Sequence, residues 1–331
     1  MSCGTGDGSG DRRARAMTRR ALVLFALMSV IWGIPYLFIR IAVAEVTPAT
    51  LVFARTGIAA AILLPIALAR TDLRPVLARW RWVVAFAVAE LAVPWVLLGS
   101  AEEVVSSSLA ALLVAGVPLV GAVIAAATGG ERLGRVGLLG LLVGLVGVAA
   151  IVGGDLQAAN LLALLEIGVV VLGYAIGPAI LSRRLAGLPS VGVMALSLSL
   201  TAVLYAPVAA IQRPSSMPSA EAIGAILVLA VICTAAAFML FSALIEEIGP
   251  VRSTVITYVN PAVAAVLGVA VLGESFSLAM GAGFALVIVG SALATRPTTA
   301  VGPVEVPLRA TTSVRPADGR WADIGADEPA S

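Results

Sequence analysis

From residue 20 to residue 295 the chain is almost continuously apolar, broken only by short stretches of charge, proline and serine. A helix that crosses a bilayer needs about 20 mostly apolar residues. Reading between the breaks predicts ten such helices: Ala21–Ile39, Ala49–Ala69, Trp82–Gly99, Val105–Ala127, Val136–Val152, Leu161–Leu181, Val191–Ile211, Ala222–Ile245, Val251–Leu272 and Leu278–Ala294. The fifth and tenth, of about 17 residues, sit at the lower limit for spanning. Polar tails flank this body, residues 1–19 rich in Gly, Arg and Ser, and residues 296–331 rich in Pro, Thr and Asp. Both read as disordered, for want of apolar positions to bury.

Composition agrees with the pattern and narrows it. The 331 residues are 60% hydrophobic and 12% charged, against about 25% charged in soluble domains. Such a chain has too little polar surface to face water, so its solvent is lipid. The first apolar run is longer than the apolar core of a signal peptide, and Arg40 interrupts the approach to a cleavage site at Ala42-Val43-Ala44, so the first helix is expected to be retained.

Charge then gives the orientation. All 21 basic residues are arginine. With the N-terminus cytoplasmic, only Arg40 and Arg213 fall on the outer side, while the rest of the loop and tail arginines fall inside. That bias is the positive-inside rule. It predicts an all-α protein of the cytoplasmic membrane with both termini in the cytoplasm.

The chain also matches itself at an offset of 143 residues. Pro35 meets Pro178, Arg40 meets Arg183, Pro118 meets Pro261, and Gly130-Glu131 meets Gly273-Glu274, with Gly140 on Gly283 and Gly147 on Gly290. This predicts two five-helix repeats, residues 20–153 and 160–295. Five is odd, so the second copy is expected upside down, as in many secondary transporters.

The stretches "SSSLAALLVAGVPLVGAVIAAATGGERLGRVGLLGLLVGLVGVAAIV" and "YVNPAVAAVLGVAVLGESFSLAMGAGFALVIVGSAL" resemble the closing part of an EamA-type module of the drug/metabolite transporter superfamily. "IWGIPYLFIRIA" is similar to that family's opening helix, and Arg55 matches an arginine often found in its second helix. The resemblance covers nearly all of residues 20–295. It implies a transporter of small molecules and leaves the substrate open. Gly33-Ile34-Pro35 departs from the family, where a polar residue often follows the Trp-Gly pair, and so do the acids Glu90 and Glu166.

Several chemistries are excluded or disfavoured by what the chain lacks. Without histidine there is no Ser-His-Asp triad and no histidine metal cluster. The glycine runs are not followed by Lys-Ser/Thr, so there is no phosphate-binding loop and no ATP-driven pump in this chain. Basic patches interleaved with aromatics, which would read nucleic acid, are absent. No cofactor, metal or enzymatic activity is expected. The expected partners are a small-molecule substrate and membrane lipid, and a homodimer stays open.

Arg55 carries the main question, because a permanent cation is costly in hydrocarbon. It is expected to face a polar cavity, to bind substrate there, to pair with Glu90 or Glu166, or to snorkel to the outer interface. Trp32, Tyr174, Tyr258 and Asn260 are further candidates for lining a cavity, and helix packing is the plainer reading of each. Pro35, Pro118, Pro178 and Pro261 are hinge candidates, against a plainer reading as fixed kinks. Glu131 and Glu274, at helix ends, are expected to cap helices or pair within loops. The function expected is secondary transport, with efflux favoured, by alternating access; the rival is a non-transporting scaffold or lipid-binding subunit of the same fold.

Overall fold

The computed structural model describes residues 18–128, 134–153, 160–248 and 256–295, and their regular structure is helical throughout. Among the described residues, eight helices are long and apolar enough to cross a membrane: α1 Arg19–Val43, α2 Pro48–Arg70, α3 Trp80–Glu102, α4 Ser107–Ala127, α5 Arg135–Gly153, α6 Leu161–Arg184, α7 Ser190–Ile211 and α8 Ala220–Ile248. Two shorter apolar helices follow, α9 Ile256–Leu272 and α10 Leu278–Ala294, of 17 residues each. The expected start of α9 at Val251, residues 1–17 and 296–331 of the tails, and Glu131 lie outside the described residues, while Thr18 and Arg19 of the expected N-terminal tail form the cap and first residue of α1.

Local chemistry fixes the helix ends. In lipid the first N–H groups of a helix need partners from the protein. Side chains supply them: Thr18 accepts from Ala21 N, Thr47 from Thr50 N, Ser106 from Leu109 N, Asn160 from Leu162 N, Ser219 from Ala222 N and Ser277 from Met280 N. At the far end of α9, Gly273 takes φ +67°, a left-handed conformation that suits glycine.

Two helices are broken. In α1 the helix stops at Ile31 and resumes at Pro35. There Gly33 N bonds to the Val30 carbonyl instead of reaching back to Ser29. In α4 it stops at Val114 and resumes at Val117, one residue before Pro118. Pro178 and Pro261 lie inside unbroken helices. The hinge candidates therefore divide, with Pro35 and Pro118 at breaks and the other two within continuous rods.

Two further helices carry π-helical turns, Ala87–Ala92 in α3 and Val228–Ala236 in α8. Moving the first by the 143-residue offset puts it within the second, with Glu90 on Cys233 and Leu91 on Thr234. π turns inside α-helices frequently mark functional sites.

The tightest seam joins α5 to α10. A Cβ added at Gly140 would strike the backbone of Gly290 and Ala294, one at Gly147 the backbone of Gly283 and Val287, and one at Gly290 the backbone of Gly144. The small residues let two backbones touch, which is how helices gain packing energy in lipid. The contacts also exchange partners. Gly140 faces Gly290 and Gly147 faces Gly283, whereas the sequence offset equates Gly140 with Gly283 and Gly147 with Gly290.

Gly290→Val is expected to lower stability by about 1–3 kcal/mol, the usual cost of overpacking. Gly57→Ala should be neutral or stabilising, since a Cβ there meets nothing within 4 Å. Thermal unfolding of purified protein in one detergent checks both.

Candidate functional site

Arg55 lies in the interior of α2 and is 7% exposed. The central carbon of its guanidinium lies over the Trp95 ring of α3, 3.6 Å from the centroid, and its Nε donates to Thr234 Oγ1 at 2.9 Å. The acceptor is prepared by the π turn of α8, because the Thr234 hydroxyl donates to the Leu229 carbonyl five residues back and keeps its lone pairs for Arg55. A cation over an aromatic face gains about 0.5–2 kcal/mol, more when desolvated. The two terminal nitrogens of Arg55 make no hydrogen bond among the described residues.

The expected pairing of Arg55 with Glu90 or Glu166 is not formed. Glu166 Oε1 instead accepts from the Ser100 hydroxyl at 2.8 Å, tying α6 to α3. Glu90 sits in the π turn of α3 against Gly177 of α6, where a Cβ would run into its carboxyl. Glu90 Oε2 is buried without a hydrogen-bond partner among the described residues. A stacked and hydrogen-bonded guanidinium is held by geometry as well as charge, and Trp95 and Thr234 offer that geometry.

Tyr174 of α6 packs against the cluster that holds Leu91 and Trp95. Its hydroxyl lies within electrostatic reach of Glu90, Arg55 and Glu102. Arg55, Glu90, Glu166 and Tyr174 are thus gathered around α3. Three residues that the pattern of the chain did not single out join them: Trp95, Thr234 and Glu102. Leu91, Trp95, Leu98 and Glu102 recur at helical spacing and are all buried, so a helical face through Trp95 already contains Glu102. The expected spans Trp82–Gly99 and Val105–Ala127 leave Glu102 and Glu103 together in the loop between them. In the structure Glu103 is exposed and Glu102 is fully buried.

Trp32, Tyr258 and Asn260 belong elsewhere. Trp32 stands at the break in α1 and packs on Phe238 and Phe241 of α8, with ring centroids 6.0 and 4.7 Å away. Asn260, oriented as its surroundings require, donates to the Ser29 carbonyl at 3.1 Å and the Ile256 carbonyl at 2.8 Å. Ser29 is the carbonyl that the break leaves without its helical partner, so Asn260 repairs the break. Tyr258 reaches Thr295 beyond the end of α10.

At one end of the bundle two acids clasp helix starts across the chain. Glu45, between α1 and α2, accepts from Ser219 N at 2.6 Å and from the Ser219 hydroxyl at 2.5 Å, at the start of α8. Glu274, just past Gly273, accepts from Ser107 N at 2.8 Å, Ser108 N at 2.9 Å and the Ser108 hydroxyl at 2.5 Å, at the start of α4. Arg40 donates to the Glu102 carbonyl at the same end. The opposite end is joined through Thr18 and Arg20 on Glu247, and through Arg79 on the carbonyls of Arg184 and Ala186.

The hydrogen bonds from Ser219 hold the Glu45 carboxyl below its ordinary range. At Glu274 burial pushes upward, and the donors on Ser108 and Ser107 outweigh it, so this carboxyl also lies low. Groups lowered by folding add stability above their unfolded value, and lose it as pH falls through the folded value. A Glu45→Gln/Glu274→Gln variant should therefore melt below the wild type at pH 7. The gap should close as pH drops below about 4.3, the unfolded carboxyl value. Melting curves across pH read both.

Comparison with known proteins follows this geometry. The family described as "EamA-like transporter family" matches residues 19–153 and again 161–296. The chain is 30% identical over 276 residues to the "Uncharacterized inner membrane transporter YedA" of Escherichia coli strain K12, covering 80% of this chain and 89% of that protein. The protein of the same name from Escherichia coli O6:H1 matches equally. A solved structure described as "Crystal structure of protein" superposes with a TM-score of 0.60 at 24% identity, over 83% of this chain and 96% of that one, a likeness of fold.

Proposed function

The chain belongs to the EamA-like transporter family, and from that premise we propose that it is a secondary transporter moving a small metabolite or drug-like molecule out across the cytoplasmic membrane by alternating access. In this reading all ten apolar helices cross the membrane, as two inverted repeats with both termini in the cytoplasm. The exchanged glycine partners of α5 and α10, and the two π turns related by the 143-residue offset, support it.

The observation that carries the proposal is the position of Arg55 between the two family-matched halves. Its helix and Trp95 come from the first half, and its acceptor Thr234 from the second. With its terminal nitrogens unbonded, it can anchor an acidic or hydrogen-bond-accepting group of a substrate, while Trp95 and Tyr174 supply aromatic walls. A residue bonded to both halves also feels any movement between them. Binding sites between repeats near the midplane are the rule in such transporters.

Flux of a panel of radiolabelled metabolites through liposomes holding the purified protein tests the proposal. At least one compound should move faster than through empty liposomes. Arg55→Ala should abolish that flux while the protein still inserts. Arg55→Lys should lose about tenfold, because an ammonium keeps the charge but neither the stack nor the fork, a difference of about 1.4 kcal/mol. A scaffold would move nothing from the panel, whatever stands at position 55.

Orientation is tested separately. A C-terminal fusion to a reporter active only in the cytoplasm should be active, and one placed after Gln212 silent. The reverse result would turn the bundle over.

A further inference from the structure

Glu102 is the buried group that none of the above uses. It closes α3, is 0% exposed, and neither of its carboxyl oxygens has a hydrogen-bond partner among the described residues. The Arg40 guanidinium donates to its backbone carbonyl and lies within electrostatic reach of its carboxyl. The Ser107 hydroxyl at the start of α4 is likewise buried, beside Glu274. The titratable and charged groups that face the carboxyl come from every side: Tyr36 and Arg40 of α1, Arg55 of α2, Tyr174 of α6, and Glu274 in the turn before α10. Glu102 therefore stands between the Arg55 cluster and the Glu274 clasp.

We infer that Glu102 is an exchangeable proton-binding site through which a proton gradient acts on the transporter; the second part rests on the transport reading above. A carboxyl buried this deeply, with no hydrogen bond of ordinary geometry to its oxygens among the described residues, holds a negative charge at a desolvation cost that only the nearby Arg40 and Arg55 cations offset. A proton is the smallest ligand that removes that charge, and it needs no pocket of its own. In the forward step the O–H bond of Glu102 breaks, the proton passes to water at the outer end, and the carboxylate remains. That carboxylate now faces the ionised Glu274 and repels it, which loosens the clasp on Ser107 and Ser108. It also attracts Arg55, which competes with any acidic substrate group held there. Proton occupancy and the outer closure are thereby linked through one side chain. Glu90 does not share this position, since neither clasp acid lies among the groups that act on it.

The test uses the full chain in liposomes and needs no substrate in its first arm. Infrared difference spectra taken as pH is stepped should contain a carboxylic-acid C=O band that shifts in D2O. The band should be lost in Glu102→Gln and kept in Glu90→Gln. Gln is isosteric with the protonated acid, so the variant should fold, and its melting temperature verifies that. If Glu102→Gln does not fold, Glu102→Asp should shift the band rather than leave it in place. In the second arm, a compound found mobile in the panel is followed with and without an imposed pH gradient. The gradient should accelerate the wild type, and Glu102→Gln should lose that acceleration while still exchanging the compound at equal pH. A band that survives Glu102→Gln, or a variant still driven by the gradient, would overturn the inference. If the wild type moves nothing, the transport reading fails on its own, and the band still decides whether Glu102 binds a proton.

Discussion

In hydrocarbon no water is present to complete a backbone hydrogen bond, so every departure from a continuous helix must be repaired by the protein. The structure meets this requirement at several of its irregular points. The break at Trp32–Ile34 frees the Ser29 carbonyl, and Asn260 from α9 takes it. The π turn of α8 leaves the Leu229 carbonyl to the Thr234 hydroxyl, which then accepts from Arg55. The start of α4 donates to Glu274 and the start of α8 to Glu45. Several of these repairs reach from one family-matched half to the other. Local irregularity and the joining of the halves are therefore one property of the chain, seen at two scales.

The bundle uses two kinds of contact between halves, with different consequences for motion. The α5–α10 seam is backbone against backbone at glycine, where a displacement of an ångström either clashes or loses the contact. The clasps at Glu45 and Glu274 are hydrogen bonds to helix starts at the end of the bundle. Such bonds break and reform without repacking a core, at about 1.5–3 kcal/mol for a charged acceptor. A stiff seam with breakable ends is the mechanical arrangement that an alternating-access reading calls for.

Charge is handled in an equally economical way. Arg55 is surrounded by an aromatic face and a hydroxyl, not by a carboxylate. A close ion pair in a low-dielectric site would bind each partner tightly and leave little for a ligand. Stacking on Trp95 stabilises the cation while leaving two nitrogens unbonded. Two buried acids, Glu90 and Glu102, keep oxygens without hydrogen-bond partners among the described residues. From Arg55 to the end of α3 the interior thus holds unspent hydrogen-bonding capacity of both signs.

What the sequence determined by itself is local in origin. Span length, caps and the glycine face of α5 are written within about 20 consecutive residues, because the helix repeat and the bilayer thickness act on such a window. Eight of the expected spans fall on helices long and apolar enough to cross a membrane for that reason, and the 143-residue offset named the glycines that later met across α5 and α10. The presence of a buried cation at Arg55 was legible too, because its cost in lipid is independent of its neighbours. Its partners were not. In water a helix shows its inner face by an apolar stripe, but in lipid both faces are apolar and the pattern carries no direction. Only the packed bundle decided that Arg55 turns to Trp95 and Thr234, that Trp32 and Asn260 serve the break in α1, and that Glu102 turns inward while Glu103 stays exposed. Those choices depend on which helix lies alongside, and helices distant in sequence supply that information only after the chain has folded.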